Sequence, residues 1–224
     1  MKARTVTTDQ LQFRGAEPDE IAYLPNEDTF FTGRVEDFYE NGQKLGEGNF
    51  KDGKRVGLRT LWYENGQKAG EENFEDGKND GLVTGWHENG QKRMEGNKKE
   101  GKLDGIWTYW HDNGQKNEES NYKDGKKNGL STIWHENGQK YYEAKYKDGK
   151  EDGLATYWQE NGQKYLEENY KDGKKDGLET EWHWHLNGQK KAERNWKDGK
   201  KDGLGTEWNE DGSKRGWLSR LFGS

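Results

Sequence analysis

Histidines that recur at a fixed spacing are the first residues in this sequence with the chemistry to bind a metal ion. His87, His111 and His135 lie 24 residues apart, at one position of a repeated segment. If each segment contributes two strands about 4.8 Å apart, successive histidines are separated by roughly 10 Å. Imidazoles that must each lie about 2 Å from one zinc ion cannot span that distance. The spacing therefore predicts solvated residues at strand ends, not a metal site.

Two further patterns suggest cation binding only weakly. His183 and His185 alternate as residues on one strand face do, but no third ligand stands near them in the sequence. Segments such as 172–177 (Asp-Gly-Lys-Lys-Asp-Gly) place two carboxylates four residues apart, a loose likeness to a calcium loop. A bidentate Glu does not follow, and Asp and Gly are the residues that tight turns require. We expect turns there, and neither a metal nor another cofactor.

Carboxylates that could serve acid–base catalysis are also part of the repeated pattern. One Glu recurs in seven successive repeats, at Glu47, Glu71, Glu95, Glu119, Glu143, Glu167 and Glu193. A residue repeated along an array is a building element of the array and not a single catalytic centre. No nucleophile elbow, phosphate-binding loop or dinucleotide fingerprint is present, and the absence of cysteine removes thiolate chemistry and disulfides. The sequence therefore predicts a protein that is not an enzyme.

The elements that position these residues are set by an internal repeat. The tetrapeptide Asn-Gly-Gln-Lys begins at Asn41, Asn65, Asn89, Asn113, Asn137, Asn161 and Asn187, with Asp-Gly-Ser-Lys at Asp211. The step is 24 residues except for one of 26, which carries an insertion around 183–185. Such a fixed period indicates one supersecondary unit per repeat.

Each repeat has the pattern of a β-hairpin. Residues 57–64 combine β-branched and aromatic residues, Asn65-Gly66 is a strong signal for a two-residue type I′ turn, and residues 67–74 form the return strand. Residues 75–81 would make a longer glycine-rich turn into the next repeat. The predicted fold is all-β: an elongated single-layer antiparallel β-hairpin repeat array of about eight 24-residue repeats.

The repeats resemble the MORN repeat family, and more closely its bacterial MORN-like variant. The resemblance rests on segments such as 142–153, an aromatic–x–small–x–aromatic strand followed by a glycine-spaced turn. It covers about four-fifths of the chain. What it implies is a scaffold or interaction role, because eukaryotic members are linked to scaffolding and membrane apposition and some bacterial relatives are classed as antitoxins. The unit of 24 residues and the Asn-Gly-Gln-Lys turn depart from the best-known pattern of the family.

Composition and charge limit the classes of molecule that are expected to bind this protein. Only 27% of residues are hydrophobic, but 11 Trp and 11 Tyr concentrate the apolar area in large rings. The net charge is −6 with acidic and basic residues interleaved, so nucleic acid is not an expected partner. The first residues lack the apolar stretch of a signal peptide, which favours a cytoplasmic protein, although a removed leader would leave no trace.

Alternation along the strands assigns two faces. The ladder face carries Leu58, Thr60 and Trp62 and their equivalents in the other repeats, including Trp86, Trp110, Trp134 and Trp158. Across the hairpin we expect Trp62 to pair with Ala69, Thr60 with Glu71 and Leu58 with Asn73. The tryptophans would form a stacking ladder between hairpins, with Thr–Glu contacts on the rim. The alternative is a row of rings that binds a glycan or cell-wall ligand.

The variable face carries Arg59, Leu61 and their equivalents, which change from repeat to repeat. In the middle repeats these positions become apolar, and toward the C-terminus they become charged, as at Glu179 and Glu181. Positions that vary on a constant scaffold are where an array can encode a partner. We predict that another protein binds at Trp107, Tyr109, Ile133, Tyr142, Tyr157 and Leu166. The alternative is that these residues form the floor of the sheet's own groove.

The two ends lie outside the clear repeats. Residues 1–33 are predicted to form capping strands at 11–13 and 21–24, with a turn at 26–28, and the array then runs over 34–214. Residues 215–224 place Trp217, Leu218, Leu221 and Phe222 at helical spacing, which indicates either a lid on the last hairpin or a segment that docks on a partner or membrane surface.

The leading functional prediction is a non-catalytic interaction or scaffold protein, of the antitoxin or immunity type. The alternatives are a glycan binder and a scaffold that self-associates or makes weak contact with membranes.

Overall fold

The protein is described by a computed structural model that covers residues 4–15, 20–183 and 188–215. The chain forms two compact units, one from residues 1–115 and 122–125 and the other from residues 116–121 and 126–224. In the described part of both units the chain forms mainly strands and tight turns, together with one 3-10 helix at Thr8–Gln10. Within the described ranges, none of the helical structure is long and apolar enough to cross a lipid bilayer.

The first unit is a meander of hairpins behind a short N-terminal segment. From Gly33 onward each strand is antiparallel to the one before it, and the first strand of the chain runs parallel to the first strand of the meander. Its strands are β1 (Arg4–Val6), β2 (Gln12–Arg14), β3 (Ile21–Tyr23), β4 (Gly33–Phe38), β5 (Lys44–Lys51), β6 (Lys54–Trp62), β7 (Lys68–Glu75), β8 (Lys78–Trp86), β9 (Lys92–Lys99) and β10 (Lys102–Trp110).

The second unit repeats the same antiparallel pattern. Strand β11 (Lys116–Lys123) contributes residues to both units. The other strands are β12 (Lys126–Trp134), β13 (Lys140–Lys147), β14 (Lys150–Trp158), β15 (Lys164–Lys171), β16 (Lys174–Lys175), β17 (Gly177–Trp182), β18 (Lys190–Lys197), β19 (Lys200–Lys201) and β20 (Thr206–Glu207). The all-β antiparallel hairpin meander predicted from the sequence is confirmed.

The two turns of each repeat are exchanged relative to the prediction. Asp148 and Gly149 both have positive φ, at 50° and 85°, and they join the directly paired Lys147 and Lys150. This is the two-residue type I′ geometry, and the same pair of positive φ values recurs at Asp52 and Gly53. The Asp-Gly segment is therefore the tight turn, and the residues after it already belong to the next strand.

The Asn-Gly segment forms a longer turn that begins one residue earlier than expected. Gly66 has φ 82°, its amide donates to the carbonyl of Tyr63 at 2.9 Å, and Asn65 is not among the residues of positive φ. The Asn65 side-chain oxygen accepts from the Gln67 amide at 2.9 Å, a local bond that favours this turn over type I′. The prediction of a type I′ turn here is wrong because the Asx bond fixes Asn65 in a different conformation.

A bulge follows from that turn and changes the pairing beside it. Thr60 lies opposite Glu71 and Leu58 opposite Asn73, as predicted, but the register shifts after Leu61 and Trp62 lies opposite Lys68 instead of Ala69. Equivalent shifts occur before Trp86, Trp134 and Trp158. Bulges of this kind place two residues opposite one and redirect side chains.

Side chains at one strand end tie each repeat to the next. The Tyr63 hydroxyl donates to the backbone carbonyl of Trp86 at 2.6 Å, and His87 Nε2 lies 3.0 Å from the carbonyl of Trp110. In the second unit His135 Nε2 lies 3.2 Å from the carbonyl of Trp158. The repeated histidines, predicted to be solvated, are in fact half-buried and lie against the following repeat.

We expect Tyr63→Phe to weaken this link by about 0.5–1.5 kcal/mol, the usual net value of one hydrogen bond. Hydrogen exchange of the amides near Trp86 measures the change. Tyr23→Phe is the matched control, since Tyr23 is half-buried and its ring packs on Phe30, and its hydroxyl has no hydrogen-bond partner in the described ranges. An equal loss of amide protection in both variants would contradict the role given to the Tyr63 hydrogen bond.

The N-terminal segment covers the first hairpin. Val6, Leu11, Ala22, Phe31, Val35 and Phe50 form one buried cluster. Strands β2 and β3 pair as predicted, but the turn at Asn26 follows β3 and leads to Phe30 instead of joining the two strands. The pairing of β1 with β4 covers an edge that would otherwise expose unpaired backbone groups.

Candidate functional site

The six residues predicted to bind a partner divide between the two units. Trp107 and Tyr109 lie on β10 of the first unit, and Ile133, Tyr142, Tyr157 and Leu166 lie on β12 to β15 of the second. Trp107 and Tyr142 are buried, and the other four are half-buried. Their contact with a partner stays a prediction, and only the half-buried members present surface in the isolated chain.

Trp107 is a packing centre of the first unit. Its side chain is 2% exposed, and its indole N–H donates to the backbone carbonyl of Asn97 at 2.8 Å. A Cβ built on Gly96 would lie 2.3 Å from the Trp107 ring, so the indole covers the space that the missing side chain leaves. Tyr109 follows on the same face, with the two ring centres 6.3 Å apart.

The second unit brings its four predicted residues together. Tyr142 packs with Ala144 and Ala155 in a buried cluster, and Ile133 and Tyr157 pack against it. Tyr142 lies directly opposite both Ile133 and Tyr157, and Tyr157 also lies opposite Leu166. The ring centres of Tyr142 and Tyr157 are 4.8 Å apart. These contacts run across four consecutive strands and define what we call the tyrosine cluster.

Hydrogen bonds hold the phenol groups of this cluster in place. The Tyr142 hydroxyl donates to Glu151 and lies 3.1 Å from the hydroxyl of Tyr146. The Tyr170 hydroxyl donates to Glu168 at 2.7 Å. Burial, with the hydrogen bond to Glu151, raises the pKa of Tyr142, and burial likewise raises the pKa of Tyr157 and Tyr170. The phenols therefore stay protonated at neutral pH and act as neutral rings with fixed donors.

Two further tyrosines belong to the cluster that sequence reasoning missed. Tyr141 is 40% exposed, and the Tyr165 ring centre is 6.0 Å from that of Tyr157. Strict alternation would put both residues on the ladder face, but the bulge beside the Asn-Gly turn brings Tyr165 to the side of Tyr157. The signal in the sequence was the Asn-Gly-Gln-Lys-Tyr segment at 137–141 and 161–165, which is followed by a second bulky residue, Tyr142 or Leu166.

The charged end of the variable face is an ion-pair network. Glu179, 6% exposed, pairs with Lys175 at 2.7 Å and with Arg194 at 3.1 Å. Glu168, 5% exposed, also pairs with Lys175. The Lys175 ammonium lies 4.8 Å from the centre of the Trp196 ring. The charges predicted here from the sequence are therefore largely neutralised by one another.

The ladder face is organised differently from the predicted stack of tryptophans. The Lys44 ammonium lies 5.5 Å from the centre of the Trp62 ring and forms an ion pair with Glu47 at 2.5 Å. Lys140 has the same two partners in the second unit, Trp158 at 5.5 Å and Glu143. Thr60 and Thr156, expected at the rim, are buried between the glutamates. A sugar ring that stacked on Trp62, Trp86, Trp110, Trp134 or Trp158 would have to displace a lysine from the indole.

Aliphatic side chains next to the buried threonines are exposed. In the second unit Leu130, Leu154 and Leu178 are 49%, 46% and 42% exposed. Their place on the ladder face was predicted from the sequence. Nothing in the sequence indicated that these leucines would be exposed to solvent while residues of the variable face are buried.

The arrangement of His, Asp and Glu side chains gives little support for a metal site. Across the part of the chain that the structure describes, no three His, Asp or Glu side chains converge as an ion would require. His185 of the weak histidine pair lies outside the described residues. So do the four tail residues Trp217, Leu218, Leu221 and Phe222.

Comparison with known proteins identifies the repeat. Five segments match the family model described as "MORN repeat variant", at residues 31–52, 55–76, 103–124, 127–148 and 151–172. A search of curated proteins gave no match. From residue 55 onward each matched segment spans one outward strand, its Asn-Gly turn and the return strand. Repeats of this family generally act in protein or membrane interaction. These five hairpins are therefore similar to MORN repeats of the variant type.

Proposed function

We propose that this protein is a non-catalytic binder whose second unit holds a partner protein against the tyrosine cluster. The observation that carries the proposal is a chain of partly exposed tyrosine rings that begins at the buried Tyr142. Tyr157 packs on Tyr142, the Tyr165 ring centre lies 6.0 Å from that of Tyr157, and the exposed Tyr141 is hydrogen-bonded to Tyr165. Tyrosine is enriched at protein interfaces because its ring buries a large area at low entropy cost and its hydroxyl still finds a polar partner.

The electrostatics of the cluster favour a partner of mixed apolar and hydrogen-bonding surface. The phenols are neutral, and the nearby carboxylates of Glu151 and Glu168 already accept hydrogen bonds from them. A strongly charged ligand would find no unpaired charge of opposite sign among these residues. A protein surface with apolar side chains and backbone carbonyls would find rings and hydroxyl groups that match it. This argument favours a protein over a glycan, for which the ladder face was the candidate.

The test is affinity capture from the cells that make the protein, with the double variant Tyr141→Lys, Tyr165→Lys. We expect it to lose the partner, because two ammonium groups would be placed where apolar contact forms. Leu154→Lys, Leu178→Lys is the matched control, since it adds the same charge to exposed positions on the ladder face. Circular dichroism checks that both variants keep the β-sheet.

Loss of the partner in the leucine variant alone would overturn the proposal and move the docking surface to the ladder face. Within the proposed class, an antitoxin-type role is the finer hypothesis. It requires that the captured partner is a toxic protein and that wild type, but not the tyrosine variant, suppresses its toxicity.

A further inference from the structure

A cavity of about 650 Å³ lies in the first unit, between the N-terminal segment and strands β4 to β6. Its walls include Val35, Leu45 and Leu61 on the apolar side and Thr7, Arg55 and Arg59 on the polar side. The volume lies within the range of ligand-binding pockets, which combine apolar walls with a few polar groups that fix orientation. The tyrosine cluster lies in the other unit, so this cavity is independent of the proposed function.

Arg55 is the unusual residue of the cavity. Its guanidinium carbon lies 4.7 Å from the centre of the Phe50 ring. Within the described ranges no carboxylate forms an ion pair with it, whereas Arg59 pairs with Glu72 at 3.3 Å. Burial and the neighbouring charge of Arg59 lower the pKa of Arg55 and outweigh the carboxylates of Asp37, Glu72 and Glu20, which act on it without forming an ion pair. A half-buried guanidinium without a directly paired carboxylate is costly unless a ligand supplies one.

The acidic groups that line the same cavity are already engaged or exposed. Both Asp37 oxygens accept from Thr8, one from its amide at 2.8 Å and the other from its hydroxyl at 2.6 Å. Glu47 pairs with Lys44 and Arg34, each at 2.5 Å. Asp9 is exposed. The carboxylates of the cavity therefore leave the donors of Arg55 open to a ligand.

We propose that this cavity binds a carboxylate that carries an apolar group, with Arg55 as the primary anion contact and Arg59 beside it. The planar donor fork of arginine matches a carboxylate in two hydrogen bonds. The apolar walls would receive the attached aliphatic group. Such a ligand could be the C-terminal carboxylate of a peptide that ends in an aliphatic residue, or a free aliphatic acid.

Titration calorimetry on the full chain tests the proposal with four probes. They are acetyl-Ala-Ala-Leu with a free C-terminus, the same peptide as its C-terminal amide, isovalerate and inorganic phosphate. We expect the free-acid peptide to bind at least tenfold more tightly than its amide, since a hydrogen bond to a charged group is worth about 1.5–3 kcal/mol. Tighter binding of the peptide than of isovalerate would identify a peptide terminus as the source, and the reverse would identify a small acid.

Variants locate the site. Arg55→Gln should weaken the free-acid peptide at least tenfold, Arg55→Lys should retain part of the binding, and Arg93→Gln, an exposed arginine on β9, should change nothing. Arg55→Gln loses the contact with the Phe50 ring but no ion pair in the described ranges, and a circular-dichroism spectrum like that of wild type would separate loss of binding from loss of folding. Equal binding of the free-acid peptide and its amide, equal binding of phosphate, or no binding of either the free-acid peptide or isovalerate would each overturn the proposal.

Discussion

Trp107→Ala is expected to lower the free energy of unfolding around β9 and β10 by about 3–5 kcal/mol, the usual loss when a buried Trp or Phe becomes Ala. The indole is 2% exposed, fills the space above Gly96 and donates a hydrogen bond to the Asn97 carbonyl. Truncation would leave a cavity and an unpaired carbonyl in the middle of the variable face. Gly96→Ala should disturb the same contact from the other side, because its Cβ would overlap the ring.

Hydrogen exchange followed by mass spectrometry is the suitable measurement, since repeat arrays open locally and a single unfolding transition is not guaranteed. Trp110→Ala is the matched control: Trp110 is half-buried on the ladder face, where the Lys92 ammonium lies 5.8 Å from its ring centre. We expect Trp110→Ala to lose clearly less amide protection than Trp107→Ala. Unchanged protection in Trp107→Ala together with lost partner capture would instead favour the role in partner binding predicted from the sequence.

Lys175→Met is expected to destabilise the second unit by about 3–5 kcal/mol at neutral pH. The substitution would leave Glu168 and Glu179 buried with too little positive charge, and breaking a buried ion pair from one side costs about that much. Arg194 would still pair with Glu179, but Glu168 would keep only the hydrogen bond from Tyr170. Lys174→Met is the matched control, because Lys174 is the exposed neighbour at the turn.

The pH dependence of this loss follows from Glu179. Burial acts to raise the pKa of Glu179, but hydrogen bonds from Lys175 and Arg194 outweigh it and hold the pKa below its usual range. A carboxyl with a lowered pKa in the folded state contributes stability above its unfolded pKa of about 4.3, and that stability is lost as pH falls through the folded value. Once protonated, Glu179 no longer needs a cation beside it.

The difference between wild type and Lys175→Met should therefore shrink between neutral pH and pH values below about 4. Hydrogen exchange of β15 to β18 at neutral pH, and circular dichroism melts at both pH values, provide the comparison. A difference that is the same at both pH values would show that Lys175 stabilises the unit through its packing on Trp196 and not through the ion pairs.

Much of the fold was predictable because its determinants are local and repeated. The Asn-Gly and Asp-Gly dipeptides, the constant spacing and the alternation of apolar residues require only short-range geometry, so the antiparallel hairpins and the Thr60–Glu71 pairing followed directly. The turn types did not follow. Asn-Gly is compatible with more than one turn, and the choice depends on the bond from the Gln67 amide to the Asn65 side chain, together with the Asn65 amide group that donates to the carbonyl of Glu88 in the next repeat.

The sequence by itself determined which positions are constant and which vary, and hence where a partner-specific surface could be encoded. Only the tertiary structure decided which of those positions remain open. Trp107 and Tyr142 pack into the sheet, Tyr165 joins Tyr157 through a bulge, and Arg55 lines a cavity without an ion-pair partner in the described ranges. The physical reason is that exposure and charge compensation depend on neighbours from other strands and from the N-terminal segment, which a residue's place in its own repeat does not specify.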